Sequence, residues 1–103
     1  MTPQVPTVGA ILAAVAIRFD VPICDLVSAR QGSGVVRPRQ LVMWLARHCT
    51  PLSLPQIGKA IGGRDHTTVL HSIKRVEGYL RSDPVLARAA IDLRTQFAWE
   101  LAA

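Results

Sequence analysis

Gly62-Gly63-Arg64-Asp65-His66-Thr67-Thr68-Val69 is the stretch on which the reading of this chain turns. Two successive glycines allow a sharp turn, because each tolerates positive φ. A basic residue, an acid, an imidazole and two hydroxyls follow at the start of a helical pattern. Val69, Ile73, Val76 and Leu80 fall at i, i+4, i+7 and i+11, which predicts a helix from about Asp65 to Leu80 with one buried stripe. Thr68, His71 and Arg75 fall on another face, free to touch something else. The first backbone N–H groups of a helix and its dipole favour phosphate. The arrangement therefore suits a helix presented end-on to a nucleic-acid groove.

Just upstream, Ser53 has the chemistry of an N-cap, and Gln56 three residues later completes a capping box. That predicts a short helix over Leu54–Ile61, ended by the glycine pair. Two helices joined by a tight glycine-containing turn are the sequence image of a helix-turn-helix. Before it, a helix is expected from near Arg37 to about His48, with Pro38 in its first turn, where a missing N–H costs little. It buries Leu41, Val42 and Leu45, with Trp44 beside them. Ser28 to Val36 contains Gln31-Gly32-Ser33-Gly34 and reads as a loop. Ile23 to Leu26 is a short helical turn, and Val21-Pro22 separates it from a first helix over about Thr7–Phe19. After the helix-turn-helix, Asp83 and Pro84 open a last helix with Leu86, Ala90, Leu93, Phe97 and Leu101 as its stripe. The expected fold is all-α, about six helices around a helix-turn-helix. Residues 1–6 form a tail, 7–80 the helix-turn-helix unit, and 81–103 a helix that packs on the core or docks a partner.

The charge sits where that pattern sits. The 103 residues carry a formal net charge of +5. Between Ser28 and Arg75, Arg30, Arg37, Arg39, Arg47, Lys59, Arg64, Lys74 and Arg75 face a single acid, Asp65, a net +7; the remainder is net −2. A polyanionic partner follows more naturally than a merely solvated face. Half the residues are hydrophobic, yet only two Trp, one Tyr and two Phe are present, as suits a small helical core. Cys24 and Cys49 have no C-x-x-C spacing and read as buried thiols of a reducing compartment. The apolar run Val8 to Ile17 is about half the roughly 20 residues a membrane span needs. No basic segment precedes it as in a signal peptide. The expectation is a cytoplasmic, nucleoid-associated protein with no membrane contact.

Other chemistries fit poorly. His66 and His71 are five apart, on different helix faces, and no cysteine joins them at zinc-finger spacing, so neither metal nor cofactor is expected. Asp65, His66 and Ser72 lack the third orienting group of a catalytic set, so no enzyme is expected. Trp44 is the only aromatic of the basic stretch, which leaves no stacking platform for single-stranded bases and favours double-stranded DNA over RNA. On DNA, Asp65 can accept from cytosine N4, His66 can donate to or accept from a base edge, and Thr67 can hydrogen-bond while its methyl meets a thymine methyl. Arg64, Thr68, Lys74 and Arg75 are better placed for phosphates, which set position and not sequence. Plainer roles stand beside these: Asp65 as a helix N-cap, Arg37 and Arg39 as a solvated helix start.

Several motifs, in order and at matching spacing, resemble the C-terminal DNA-binding domain of the bacterial replication initiator DnaA: Asp25-Leu26-Val27-Ser28, Arg37-Pro38-Arg39-Gln40, Thr50, Ser53-Leu54-Pro55-Gln56-Ile57-Gly58 and Gly62 to His71. The resemblance covers Val8 to about Gly78 and weakens after Asp83. It implies that Asp65, His66 and Thr67 contact bases of an asymmetric nine-base-pair box. It implies that Gln40, Arg47, Leu54, Pro55, Thr68 and Arg75 approach phosphates, and that the protein binds one site as a monomer. Arg30, Arg37 and Arg39 are counted with the phosphate contacts.

There are two departures. The family's loop matching Ala29 to Gly34 is strongly basic and inserts an arginine into the minor groove. Here only Arg30 is charged, and Gln31 stands at the inserted position. Glutamine can bond A·T edges but gains nothing from the negative potential of a narrow groove, so altered reading of the A/T-rich end is expected. The chain also has no G-x-x-x-x-G-K-[ST] phosphate loop, and it opens on its own methionine, as a DNA-reading head without the initiator's motor would. The expected role is transcription regulation, as an activator that recruits or assists RNA polymerase with a partner, by analogy with DnaA-like activators of gene transfer agents. The alternative is a replication modulator that competes for the initiator's boxes. Trp99, roughly opposite the stripe of the last helix, is read either as a partner contact or as packing against the N-terminal tail.

Overall fold

A computed structural model describes residues 5–98. Among them the chain is all-α: α1 (Val8–Phe19), α2 (Ile23–Leu26), α3 (Ser33–Cys49), α4 (Leu54–Ala60), α5 (His66–Ser82) and α6 (Pro84–Gln96). α3 is the central element, in contact with every other helix. Leu41, Val42, Met43, Trp44, Leu45, Ala46 and Cys49 of α3 are all buried. α1 adds Val8, Ile11, Leu12 and Val15 from one face. α6 adds Leu86, Ala89, Ala90 and Leu93, so the last helix shares this core. On α5, Val69, Ile73 and Val76 are buried and Leu80 is half-buried. Burying one such aliphatic side chain stabilises by about 1.5–3 kcal/mol. Three of them hold α5 down without help from its outer face, which is left free to be polar.

The ends of the helices follow the local chemistry. Thr7 caps α1, its hydroxyl accepting from the Ala10 N–H at 3.1 Å. The capping box of α4 is complete: the Ser53 hydroxyl accepts from the Gln56 N–H, and Gln56 Oε1 accepts from the Ser53 N–H at 2.9 Å. Asp83 caps α6 by accepting from the Leu86 N–H at 3.1 Å. Between α4 and α5, Gly62 and Gly63 both have φ of 74°, a region that side chains disfavour. A Cβ on Gly62 would also run into the Val27 carbonyl and the Arg64 guanidinium. Gly58 lies against the Arg64 backbone, whose N–H donates to the Gly58 carbonyl at 2.7 Å, and a Cβ there would overlap the Arg64 carbonyl.

The structure corrects the expected start of α3. The helix begins at Ser33 rather than near Arg37, because the Gly32 carbonyl accepts from both Val35 and Val36 at 2.9 Å. Pro38 is thus inside the helix, where its ring nitrogen cannot donate to the Gly34 carbonyl one turn back. The expected loop shrinks to residues 27–32. Cys49 is buried as expected, but Cys24 is exposed on the small helix α2. Leu101 and Trp99, with the partner role read for the latter, lie outside the described residues. No helix among those described is long and apolar enough to cross a membrane.

Candidate nucleic-acid interface

The interface is built around the start of α5. Asp65 occupies the N-cap position with extended backbone, yet its carboxylate caps nothing. Its Oδ1 instead lies 3.1 Å from His66 Nδ1, with both side chains well exposed. The expectation of a capping Asp65 is therefore met in position only. The first α-type bond of the helix runs from the Val69 N–H to the Asp65 carbonyl, so the N–H groups of His66, Thr67 and Thr68 have no partner within the helix. These three side chains are exposed beside them. Farther along, His71, Lys74 and Arg75 continue the exposed surface. Leu70, 40% exposed, sits one turn beyond His66 and is a candidate contact that the sequence reading missed. Its signal was available, since it falls outside the Val69/Ile73/Val76 stripe.

The second part is the segment 27–32, and two arginines shape it. Arg39 is only 4% exposed. Its Nε donates to the Leu26 carbonyl at 2.7 Å, Nη1 to the Arg30 carbonyl at 2.8 Å and Nη2 to the Asp25 carbonyl at 2.9 Å. Arg64 reaches the same segment from the turn: Nη1 donates to the Ile61 carbonyl at 2.6 Å and the Val27 carbonyl at 3.3 Å, and Nη2 to the Ser28 carbonyl. Burial pushes both guanidinium pKa values down, and for Arg39 the neighbouring charge of Arg64 pushes the same way. Both were expected on phosphates. The structure instead turns both forks onto the backbone: an irregular segment leaves carbonyls unpaired, and the guanidinium fork with its several donors satisfies them. A sequence signal existed for Arg39, because it falls at i, i+3, i+4 and i+7 with Val42, Met43 and Ala46, all buried.

Held this way, Gln31 is exposed and borders a cleft of about 140 Å³ whose other walls include Gln40, Arg64, Thr68 and Ser72. Gln40 Oε1 is buried there without a hydrogen-bond partner. Arg30 is exposed and pairs with Asp25 at 3.3 Å. The cleft thus brings Gln31, Gln40 and Thr68 together beside the open start of α5. Arg37 points elsewhere. Its Nη1 is 2.7 Å from Asp83 Oδ2, and its guanidinium lies 4.3 Å from the Tyr79 ring centroid. It therefore faces the α5–α6 junction, not the start of α5. The Leu86 N–H, followed by Arg37, holds the Asp83 carboxyl below its usual pKa. Arg47 is exposed near the end of α3, and Leu54 (half-buried) and Pro55 (exposed) open α4. No group of three metal-ligating side chains occurs among the described residues.

This geometry, two helices with a glycine turn and an exposed, open start to the second, agrees with what similarity shows. Residues 8–76 match the family described as bacterial dnaA protein helix-turn-helix. The chromosomal replication initiator protein DnaA of Caulobacter sp. (strain K31) is 45% identical over 89 residues, 86% of this chain and 18% of that protein. Those of Rhodopseudomonas palustris (strain TIE-1) and Anaplasma marginale (strain St. Maries) are 46% and 47% identical over 80% and 79% of this chain, each match covering 17% of the relative. The chain spans less than a fifth of the length of these relatives. It belongs to the bacterial DnaA helix-turn-helix family of DNA-binding domains.

Proposed function

We propose that this protein reads duplex DNA sequence-selectively, as a monomer on an asymmetric site, and regulates transcription. The observation that carries the DNA reading is the start of α5: unpaired N–H groups, with Asp65, His66 and Thr67 exposed around them and no side chain capping the helix. Such an end fits the major groove with its first residues on base edges. Gln31 supplies the minor-groove contact. Gln40, Arg47, Leu54, Pro55, Thr68, Lys74 and Arg75 approach phosphates, as does Arg30, exposed next to Gln31. Several phosphate contacts give a steep salt dependence, with a log–log slope of about −0.9 for each.

The regulatory role rests on Gln31. With glutamine where the family's loop carries arginine, the A/T-rich end of the initiator's box is read differently, which favours sites of the protein's own. RNA polymerase, directly or through a partner protein, is then the machinery it acts on, in the cytoplasm at the nucleoid. The retained Asp65-His66-Thr67 triplet favours a second reading, competition with the initiator for its boxes. Mapping occupancy on the genome by chromatin immunoprecipitation and sequencing separates the two. Peaks at promoters away from the origin are expected. Peaks over the initiator's boxes would make the protein a replication modulator, and no sequence-dependent enrichment would sink the proposal. Gln31→Arg is expected to tighten binding in fluorescence anisotropy, and equal or weaker affinity would remove the argument from Gln31.

A further inference from the structure

The segment 27–32 and the start of α5 come from distant parts of the sequence, and side chain–carbonyl bonds join them. The segment has no helix or strand of its own. Its local ties are few: the Val27 and Ser28 N–H groups donate to the Ile23 and Asp25 carbonyls, the Ser28 hydroxyl donates to the Asp25 carbonyl at 2.8 Å and accepts from the Arg30 N–H at 3.2 Å, and Arg30 pairs with Asp25. Among the described residues, every longer-range hydrogen bond that holds its carbonyls comes from Arg39 or Arg64. Arg39 holds Asp25, Leu26 and Arg30, and Arg64 holds Val27 and Ser28, so together they take five carbonyls between residues 25 and 30.

Arg64 also belongs to the helix-turn-helix itself. Its backbone N–H is fixed on Gly58, and the next residue is Asp65, at the N-cap of α5. One residue therefore holds the segment by its side chain and the start of α5 by its backbone. Gly62 leaves the space this needs, since any Cβ would strike both the Val27 carbonyl and the Arg64 guanidinium. Among the described residues no carboxylate lies within ion-pair distance of Arg39 or Arg64. Both cations are thus turned onto backbone carbonyls and paired with no carboxylate. An apolar residue could fill the space, but it could not fix the direction of five carbonyls.

We propose that Arg64, supported by Arg39, is a positioning residue for DNA specificity. It holds the Gln31 segment and the first turn of α5 in one register, so discrimination at the base pairs read by Gln31 depends on Arg64, which itself touches no DNA. The proposal rests on the reading that Gln31 and the start of α5 both contact bases. It differs from the phosphate role that the basic stretch suggests for Arg64, and the two predict different behaviour. A phosphate contact survives replacement by lysine and contributes to the salt slope. A guanidinium fork on fixed carbonyls survives no such replacement and leaves the slope unchanged.

The test starts with the duplex that the wild-type protein enriches from a randomised library. Affinities for that duplex and all its single base-pair variants are measured for wild type, Gln31→Ala, Arg64→Met, Arg64→Lys, His66→Ala and the double variant Gln31→Ala/Arg64→Met. Circular dichroism and thermal melts check folding at the assay temperature. Gln31→Ala is expected to flatten discrimination about tenfold at a few base pairs, as losing a base contact does. Arg64→Met and Arg64→Lys flatten the same base pairs to the same extent, with no further loss in the double variant. The base pairs flattened by His66→Ala keep their discrimination within about twofold in the Arg64 variants, and the salt slope stays at the wild-type value.

Full discrimination in Arg64→Lys, or a slope shallower by about 0.9 in Arg64→Met, would overturn the proposal in favour of a phosphate contact. Uniform loss at all base pairs, or failure of both Arg64 variants to fold, would make Arg64 a residue of the fold alone. Unchanged discrimination in Gln31→Ala would remove the reader that Arg64 is held to position. If wild type enriches no duplex, sequence-selective DNA reading itself fails, a result distinct from all of these.

Discussion

The two helices of the helix-turn-helix begin in opposite ways. α4 starts inside a reciprocal capping box, where Ser53 and Gln56 satisfy each other's N–H groups. α5 starts with an aspartate in the capping position, yet the carboxylate leans toward His66 and leaves the first turn open. Both positions hold residues that cap well. What differs is the use of the helix end. α4 is seven residues long, too short to persist without help at its ends, so its cap serves stability. α5 has 17 residues and a buried stripe, so it can leave its end unsatisfied, and an unsatisfied helix end is a site for an anion or a base edge.

That contrast can be broken from either side. The largest effect is expected at the open end: His66→Ala/Thr67→Ala should weaken binding to the selected duplex about thirtyfold or more, from two contacts of at least about 1 kcal/mol each. The melting temperature should barely move, because both side chains are exposed. Anisotropy titrations and thermal melts together check this. At the closed end the pattern reverses. Ser53→Ala should cost about 1 kcal/mol of stability in denaturant titrations, while DNA affinity well below the melting point changes little. A smaller effect separates the two aspartates. Asp65→Ala should leave stability within about 0.5 kcal/mol, as for a surface site with no cap bond, and Asp83→Ala should lower it by clearly more.

The smallest and most diagnostic effect is in pH. The folded-state pKa of Asp83 is depressed, so the stability it contributes is present above its unfolded value of 3.8 and is lost as pH falls through the lowered folded value. Asp83→Asn should flatten that part of the stability–pH curve. An unchanged curve would show that the α6 cap and the Arg37 pair are not coupled to folding.

Most helices were legible because period and punctuation agree. The Val69–Ile73–Val76 stripe, the Ser53–Gln56 box and the Asp83–Pro84 start each give a local signal, and each appears in the structure. The start of α3 was not legible, because Gly32, Gly34 and Pro38 are all local evidence against a helix. Tertiary partners outweigh them: the fork of Arg39 on the preceding segment and the Arg37 contact with Asp83 and Tyr79 hold the first turns in place. The residues at the start of α5 were legible as an exposed polar cluster, since nothing apolar competes for them. The inward turn of Arg64 was not legible for a different reason, and that of Arg39 showed only in its helical spacing to Val42, Met43 and Ala46. Composition counts a guanidinium without saying which way it points, and its partners are backbone carbonyls that any sequence possesses.

The inward turn of these two arginines divides the basic stretch into two populations that drift under different rules. At Arg47, Lys74 and Arg75, exposed on the surface, exchange between arginine and lysine preserves all that a mobile positive charge supplies. At Arg39 and Arg64 the same exchange keeps the charge and loses the fork. Saturation mutagenesis of this stretch would accordingly return a tolerance map in which two of its cations behave like core residues and forbid the substitution that looks most conservative. Gly62, whose missing side chain leaves room for the fork, should share that intolerance.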